Sequence, residues 1–327
     1  MNFWNTLINL PMPKKRLLAY SLLTLSSIIW GIAGPVIKHT LQFIPPFTFL
    51  FWRFLLSSLI FLPSFFVLVK KEKENLKTLL PIIPLGFLGI PLCLTFIFLG
   101  FERTTALDGS ILSSLAPIFI VLAGVLFLKE NVSKIELLGL TITISGLIVM
   151  VSQPLLEEGG FNPKNILGNI FIVTSNVVWT TYVIFSKIEF KKHSPFIITA
   201  VSFFTGVVAI FPVALIEQLT IIDWQKSVYI SPQPLFYINP KGLEGLLYMT
   251  FLSSAVAYFA FETGLRLIEA SEATLFAYLQ PIFAMPVAIF WLKEKITLPF
   301  IIGAIIITFG VFLSEFYRPK LNRLRNI

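Results

Sequence analysis

Residues 110–130 read SILSSLAPIFIVLAGVLFLKE, and residues 274–294 read TLFAYLQPIFAMPVAIFWLKE. At a shift of 164 they share Leu115/Leu279, Pro117/Pro281, Ile118/Ile282 and Phe119/Phe283, and Leu128-Lys129-Glu130 falls on Leu292-Lys293-Glu294. The register continues outward, placing Gly139 and Gly146 on Gly303 and Gly310. At a shift of 149, residues 26–63 lie on 175–212, keeping Ser26/Ser175, Trp30/Trp179, Lys38/Lys187, Pro46/Pro195, Phe47/Phe196, Phe54/Phe203 and Pro63/Pro212. Chance rarely holds one register through proline, glycine, tryptophan and a charged pair together. The second half is a copy of the first, and such a period must be read before any fold.

Composition decides the solvent. With 56% hydrophobic and 13% charged residues and a mean hydropathy of +0.86, the chain is far from a soluble domain, where about 25% charged is usual. A spanning helix needs roughly 20 mainly apolar residues. The sequence offers such segments at 17–37, 47–69, 79–101, 106–128, 135–151, 166–185, 196–216, 243–265, 273–292 and 296–313. Continuous apolar runs without period-2 alternation exclude a barrel. The expectation is an all-α integral membrane protein with ten transmembrane helices as two five-helix repeats, 17–151 and 166–317. A segment 1–16, a linker 152–165 and a basic tail 318–327 complete it. Lys14-Lys15-Arg16 precede a run too long for a secretory signal, so the first helix is read as uncleaved.

Charge sets the orientation. With both termini in the cytoplasm, 17 of the 25 Lys and Arg fall inside and 7 outside, Arg53 lying within a helix. That follows the positive-inside rule. The pI near 9.5 then reflects orientation, not a nucleic-acid partner. Five helices per repeat is odd, so the second copy enters the membrane inverted, Lys129-Glu130 inside and Lys293-Glu294 outside. Inverted repeats place substrate near the mid-membrane, between the halves. The external connectors are 152–165 and 217–242; the latter carries Trp224, Tyr229, Phe236 and Tyr237, which have two readings, resting at headgroup level or capping an entrance.

The polar side chains gather on particular faces. Ser110, Ser113, Ser114 and Pro117 share one face of the fourth helix, answered in the ninth by Thr274, Ala277, Tyr278 and Pro281, with Gln280 beside them. Each proline lacks a backbone donor and frees a carbonyl, which needs a wet or protein-lined setting. Two readings follow: the duplicated stripes border a cavity, which is the expectation for the whole set, or the single serines bond back to their own helix and let neighbours approach. The first helix brings Ser26 and Trp30, with Ser27 and Gly31 adjoining; the sixth brings Ser175 and Trp179, with Asn176 and Thr180. In the eighth, Ser254, Tyr258 and Glu262 recur at i, i+4 and i+8, with Tyr258 lining the cavity and Glu262 at the cytoplasmic mouth. The candidate substrate-binding set is Trp30, Ser110, Ser114, Asn176, Trp179, Tyr258, Tyr278 and Gln280. Gly139/Gly146 and Gly303/Gly310 read as close-packing faces. Arg53, two turns from the outer helix end, has two readings: snorkelling as a structural residue, or anion recognition. No Asp or Glu stands at a helix centre, which disfavours a proton pump built on a central carboxylate. His39 and His193 fall at opposite faces and Cys93 is alone, so no catalytic centre, disulfide or cofactor is expected.

These residues resemble the EamA family of the drug/metabolite transporter superfamily. The likeness rests on Trp30-Gly31, Arg53 and the twin segments through a helix proline to Lys-Glu, and spans about 17–317. It implies a ten-helix inner-membrane carrier of small polar metabolites such as amino acids, frequently an exporter, with a cavity lined by helices 1, 3, 4, 6, 8 and 9. Small multidrug relatives rely on a first-helix carboxylate that this chain lacks, so drug–proton exchange is not implied. The expected protein is a secondary transporter working as monomer or homodimer in the cytoplasmic membrane. The alternative is a receptor that binds the same ligands without moving them.

Overall fold

The computed structural model describes residues 11–104, 109, 112, 113, 115–130, 133–157, 166–227, 234–291 and 298–325. Among the described residues regular structure is helical, with no strand. The first half supplies α1 (Met12–Thr40), α2 (Pro46–Lys71), α3 (Ile82–Arg103), α4 (Ala116–Leu128) and α5 (Lys134–Glu157), with a single turn at Leu76–Leu79. The second supplies α6 (Ile166–Glu189), α7 (Pro195–Ser227), α8 (Pro240–Leu267), α9 and α10 (Leu298–Arg325). α9 comes in pieces: Ala270–Leu275, a 3-10 turn at Phe276–Leu279, and Gln280–Phe290.

Among the described residues, six helices are long and apolar enough to cross a membrane: α1, α2, α3, α6, α7 and α8. The other expected segments hold shorter apolar stretches at Ala116–Leu128, Leu137–Gly146 and Ile301–Gly310, or are interrupted, as α9 is. Prolines at the first helical positions of α1, α2 and α8 start those helices, where a missing N–H costs nothing. Large apolar side chains such as Leu126, Phe127, Val208 and Phe290 stand exposed on the outer faces. That arrangement suits lipid and would aggregate in water.

One boundary departs from expectation. The sequence reading opens an external loop at 217, whereas α7 continues to Ser227. The cause is local: the Glu217 carboxylate accepts from the Phe47 and Thr48 amides (3.1 and 2.7 Å) and caps α2. Gln218 bonds Thr48 Oγ1 at 2.6 Å and accepts from the Phe236 amide. Phe236 packs on Phe51 and Phe211, and Tyr237 is exposed. The Trp224 side chain and Tyr229 lie outside the described residues.

Pairings between the halves recur when the halves are exchanged. α1 packs on α8 and α9, and α6 on α3 and α4; α2 meets α7, and α5 meets α10. The α5/α10 seam is the glycine face expected from sequence: a Cβ on Gly146 would fall 2.9 Å from the Gly303 carbonyl oxygen, and one on Gly310 would fall 2.8 Å from that of Gly139. Lysines obey the same exchange. Lys38 of α1 donates to the Phe101 and Thr104 carbonyls (both 2.8 Å) at the end of α3. Its mate Lys187 of α6 donates to the Leu265 and Ile268 carbonyls at the end of α8. A cation on the last carbonyls of a helix satisfies orphan acceptors and opposes its dipole.

Candidate functional site

Two helices change pitch at matching places. α3 widens to a π segment at Leu88–Leu92, where Pro91 withholds a donor. α8 does so at Tyr248–Ala257, where Ser254 Oγ donates to the Met249 carbonyl five residues back (2.9 Å). Insertions of this kind concentrate at functional sites. α9 tightens to a 3-10 turn just before Pro281. Together these irregular stretches surround the centre of the bundle.

A cavity of about 160 Å³ lies there. α1 contributes Ser26, Ser27, Trp30 and Gly31; α2 contributes Arg53; α3 contributes Cys93 and Ile97. Ser113 and Ala116 come from the fourth helix region, Ser175, Asn176 and Trp179 from α6, Ser253 and Tyr258 from α8, and Thr274, Ala277 and Gln280 from α9. Both halves build the walls. Trp30 sits edge-on to Trp179 and Tyr258, with ring centroids at 5.8 and 5.1 Å, and Phe261 lies 5.1 Å from Trp30. Each such aromatic pair adds about 0.5–1.5 kcal/mol beyond burial. The Trp30 indole donates to the Ser253 carbonyl (3.1 Å), fixing the ring.

Several polar residues of the wall tie helices together. Asn176 Nδ2 donates to the Leu112 carbonyl (2.7 Å), and its repeat mate Ser27 donates to the Phe276 carbonyl (2.8 Å). Each bond crosses between halves and lands five residues before a duplicated proline. Ser26 and Ser175 bond back to their own helices, at 2.8 and 2.6 Å, as does Ser113 at 2.7 Å. Arg53 is 1% exposed, so it does not snorkel. Its Nε donates to Ser254 Oγ (2.8 Å) and its Nη2 to Ser253 Oγ (3.2 Å); Nη1 has no hydrogen-bond partner.

Of the sequence-derived set, Trp30, Asn176, Trp179, Tyr258 and Gln280 line the cavity. Tyr278 does not: its ring is fully buried in a separate cluster with Val121, Leu140, Leu275, Ala304 and Ile307. The 3-10 turn through Phe276–Leu279 departs from the α-helical spacing on which the shared face was read. Ser110 and Ser114 lie outside the described residues. Glu262 corrects another expectation. It is fully buried in α8 beside the Tyr182 hydroxyl, with no hydrogen bond of regular geometry, and does not open to a mouth. Arg53 and Ser253 line the cavity outside that set; the sequence signals for them are a charge within an apolar helix and the doublet Ser253-Ser254 in an apolar run.

The duplicated Leu-Lys-Glu also gains a physical account. Lys129 takes the left-handed conformation (φ 55°) and ends α4. Glu130 then accepts from the Ala270 and Ser271 amides, at 2.7 and 3.0 Å, capping the start of α9 in the other half. Its mate Glu294 lies outside the described residues.

A multi-pass helical membrane protein with a cavity shared by two like halves is the architecture of a carrier. The profile of the EamA-like transporter family matches residues 17–152 and 166–316, and the chain belongs to that family. An uncharacterized transporter of Archaeoglobus fulgidus is 29% identical over 293 residues, covering 90% of this chain and 96% of its own. The uncharacterized transporter YyaM of Bacillus subtilis is 26% identical, covering 92% and 94%. A solved crystal structure matches with a TM-score of 0.71 at 15% identity, covering 93% of this chain and 98% of its own, a likeness of fold alone.

Proposed function

We propose that the chain is a secondary transporter that moves a small polar metabolite, such as an amino acid, across the cytoplasmic membrane by exchange or export. Two inverted halves, with both termini cytoplasmic, rock about the central cavity and expose it alternately to each side. The observation that carries this is the cavity wall, drawn from α1–α4 of one half and α6, α8 and α9 of the other. A site shared in this way changes shape whenever the halves move relative to each other. The exchangeable pairings α1/α8 with α6/α3 and α1/α9 with α6/α4 support the pseudo-twofold relation.

The test is counterflow of a radiolabelled metabolite panel in proteoliposomes, comparing the wild type with Ala277→Trp. Ala277 faces the cavity, and an indole there fills it. Flux should vanish while the unfolding midpoint holds. Normal flux in the variant removes the cavity from the route. Saturable binding without counterflow in the wild type identifies a receptor instead.

A further inference from the structure

We propose that Arg53 anchors the carboxylate of a small organic anion in the central cavity; this rests on the cavity being the substrate chamber. Arg53 lies in α2 and is 1% exposed. A buried guanidinium is costly unless paired and hydrogen-bonded. Its two contacts are neutral serine hydroxyls, Nη1 has none, and no Asp or Glu lines the cavity among the described residues.

Packing alone does not demand the charge, because the fold closes the equivalent junction without it. The repeat mate of Arg53 is Ser202, which meets α3 where a Cβ on Gly86 would lie 2.7 Å from the Ser202 Cα. One turn further along α3, the missing side chain of Gly89 makes room for the Tyr182 ring. Small residues and an aromatic ring close that side. On the other, two serines hold one edge of a planar fork and leave Nη1 buried without a hydrogen bond. A guanidinium held this way matches a carboxylate in shape and charge, and its ordering entropy is already spent. Trp30, Tyr258 and Phe261 beside it suit a ligand with an apolar body.

The experiment follows thermal unfolding of the purified full-length chain with matched probes at millimolar concentration: benzoate against benzamide, lactate against lactamide, and N-acetyl-leucine against N-acetyl-leucinamide. At least one acid should raise the midpoint while its amide does not. Arg53→Lys should weaken that acid about tenfold and Arg53→Gln by about a hundredfold, as expected for a lost charge-assisted pair. If Arg53→Gln does not fold, Ser253→Ala serves instead: it frees one held donor and should weaken, not abolish, acid binding. Acids and amides acting alike, no acid acting on the wild type, or Arg53→Gln binding as the wild type would each overturn the proposal. Counterflow of uncharged solutes alone sinks the carboxylate anchor and leaves the transporter standing. Acid binding without flux does the reverse.

Discussion

Replacing Glu130 with alanine takes away the carboxylate that closes the start of α9 from the opposite half. Two amides, those of Ala270 and Ser271, lose acceptors at 2.7 and 3.0 Å, and both residues are buried, so water replaces the carboxylate poorly. Loss of a helix cap costs about 0.5–2 kcal/mol. Loss of a negative charge at a partly buried helix start adds about 0.3–2 kcal/mol. The sum is about 1–4 kcal/mol, or a fall of roughly 2–16 °C in the unfolding midpoint by the scaling for chains somewhat shorter than this one. Glu130→Gln keeps one acceptor oxygen and should lose less than half of that. Tryptophan fluorescence during thermal unfolding in detergent measures both. If Glu130→Ala unfolds within about 1 °C of the wild type, the carboxylate does not hold α9 and the bond between halves is inconsequential.

Four further outcomes are expected. Lys38→Met and Lys187→Met should each lower the midpoint by a comparable amount, about 1–3 kcal/mol, since each strips two helix-end carbonyls of their donor; a large effect at only one would deny their equivalence. Gly89→Ala should cost about 1–3 kcal/mol in the same assay, because its Cβ would lie 2.2 Å from the Tyr182 ring. Glu262→Gln should leave the midpoint unchanged or raise it, because it removes an ionisable group buried without a regular hydrogen bond; a fall of several degrees would show that the carboxyl is structurally used. Gly146→Leu should separate α5 from α10 and destabilise, while leaving acid binding to any folded fraction intact, because neither helix lines the cavity among the described residues.

Much of the helix plan was readable because lipid imposes it. The apolar runs around Trp30, Phe54, Trp179 and Tyr258 each became long helices, since nothing else satisfies a backbone in hydrocarbon. The glycine seams were readable from spacing alone. Tyr278 was not, because its place depends on a 3-10 turn that breaks the regular step of the helix. The end of α7 was hidden for a related reason: Glu217 and Gln218 look like loop residues until α2 offers amides and a hydroxyl for them to bind. Glu262 shows the limit of counting from helix ends. Five residues from the end of α8 it is still enclosed, because neighbouring helices cover it. Arg53 was visible as a charge, but its direction was decided by two serines some 200 positions away in sequence.

Those serines sit on a stretch of helix that has given up its usual ladder. Arg53 donates to Ser254, and Ser254 donates to the Met249 carbonyl across the π step. The guanidinium is thus only two hydrogen bonds from the main chain of α8, through a relay that begins in the opposite half of the molecule. Any guest that draws on the guanidinium also tugs on the thread that sets the winding of that helix.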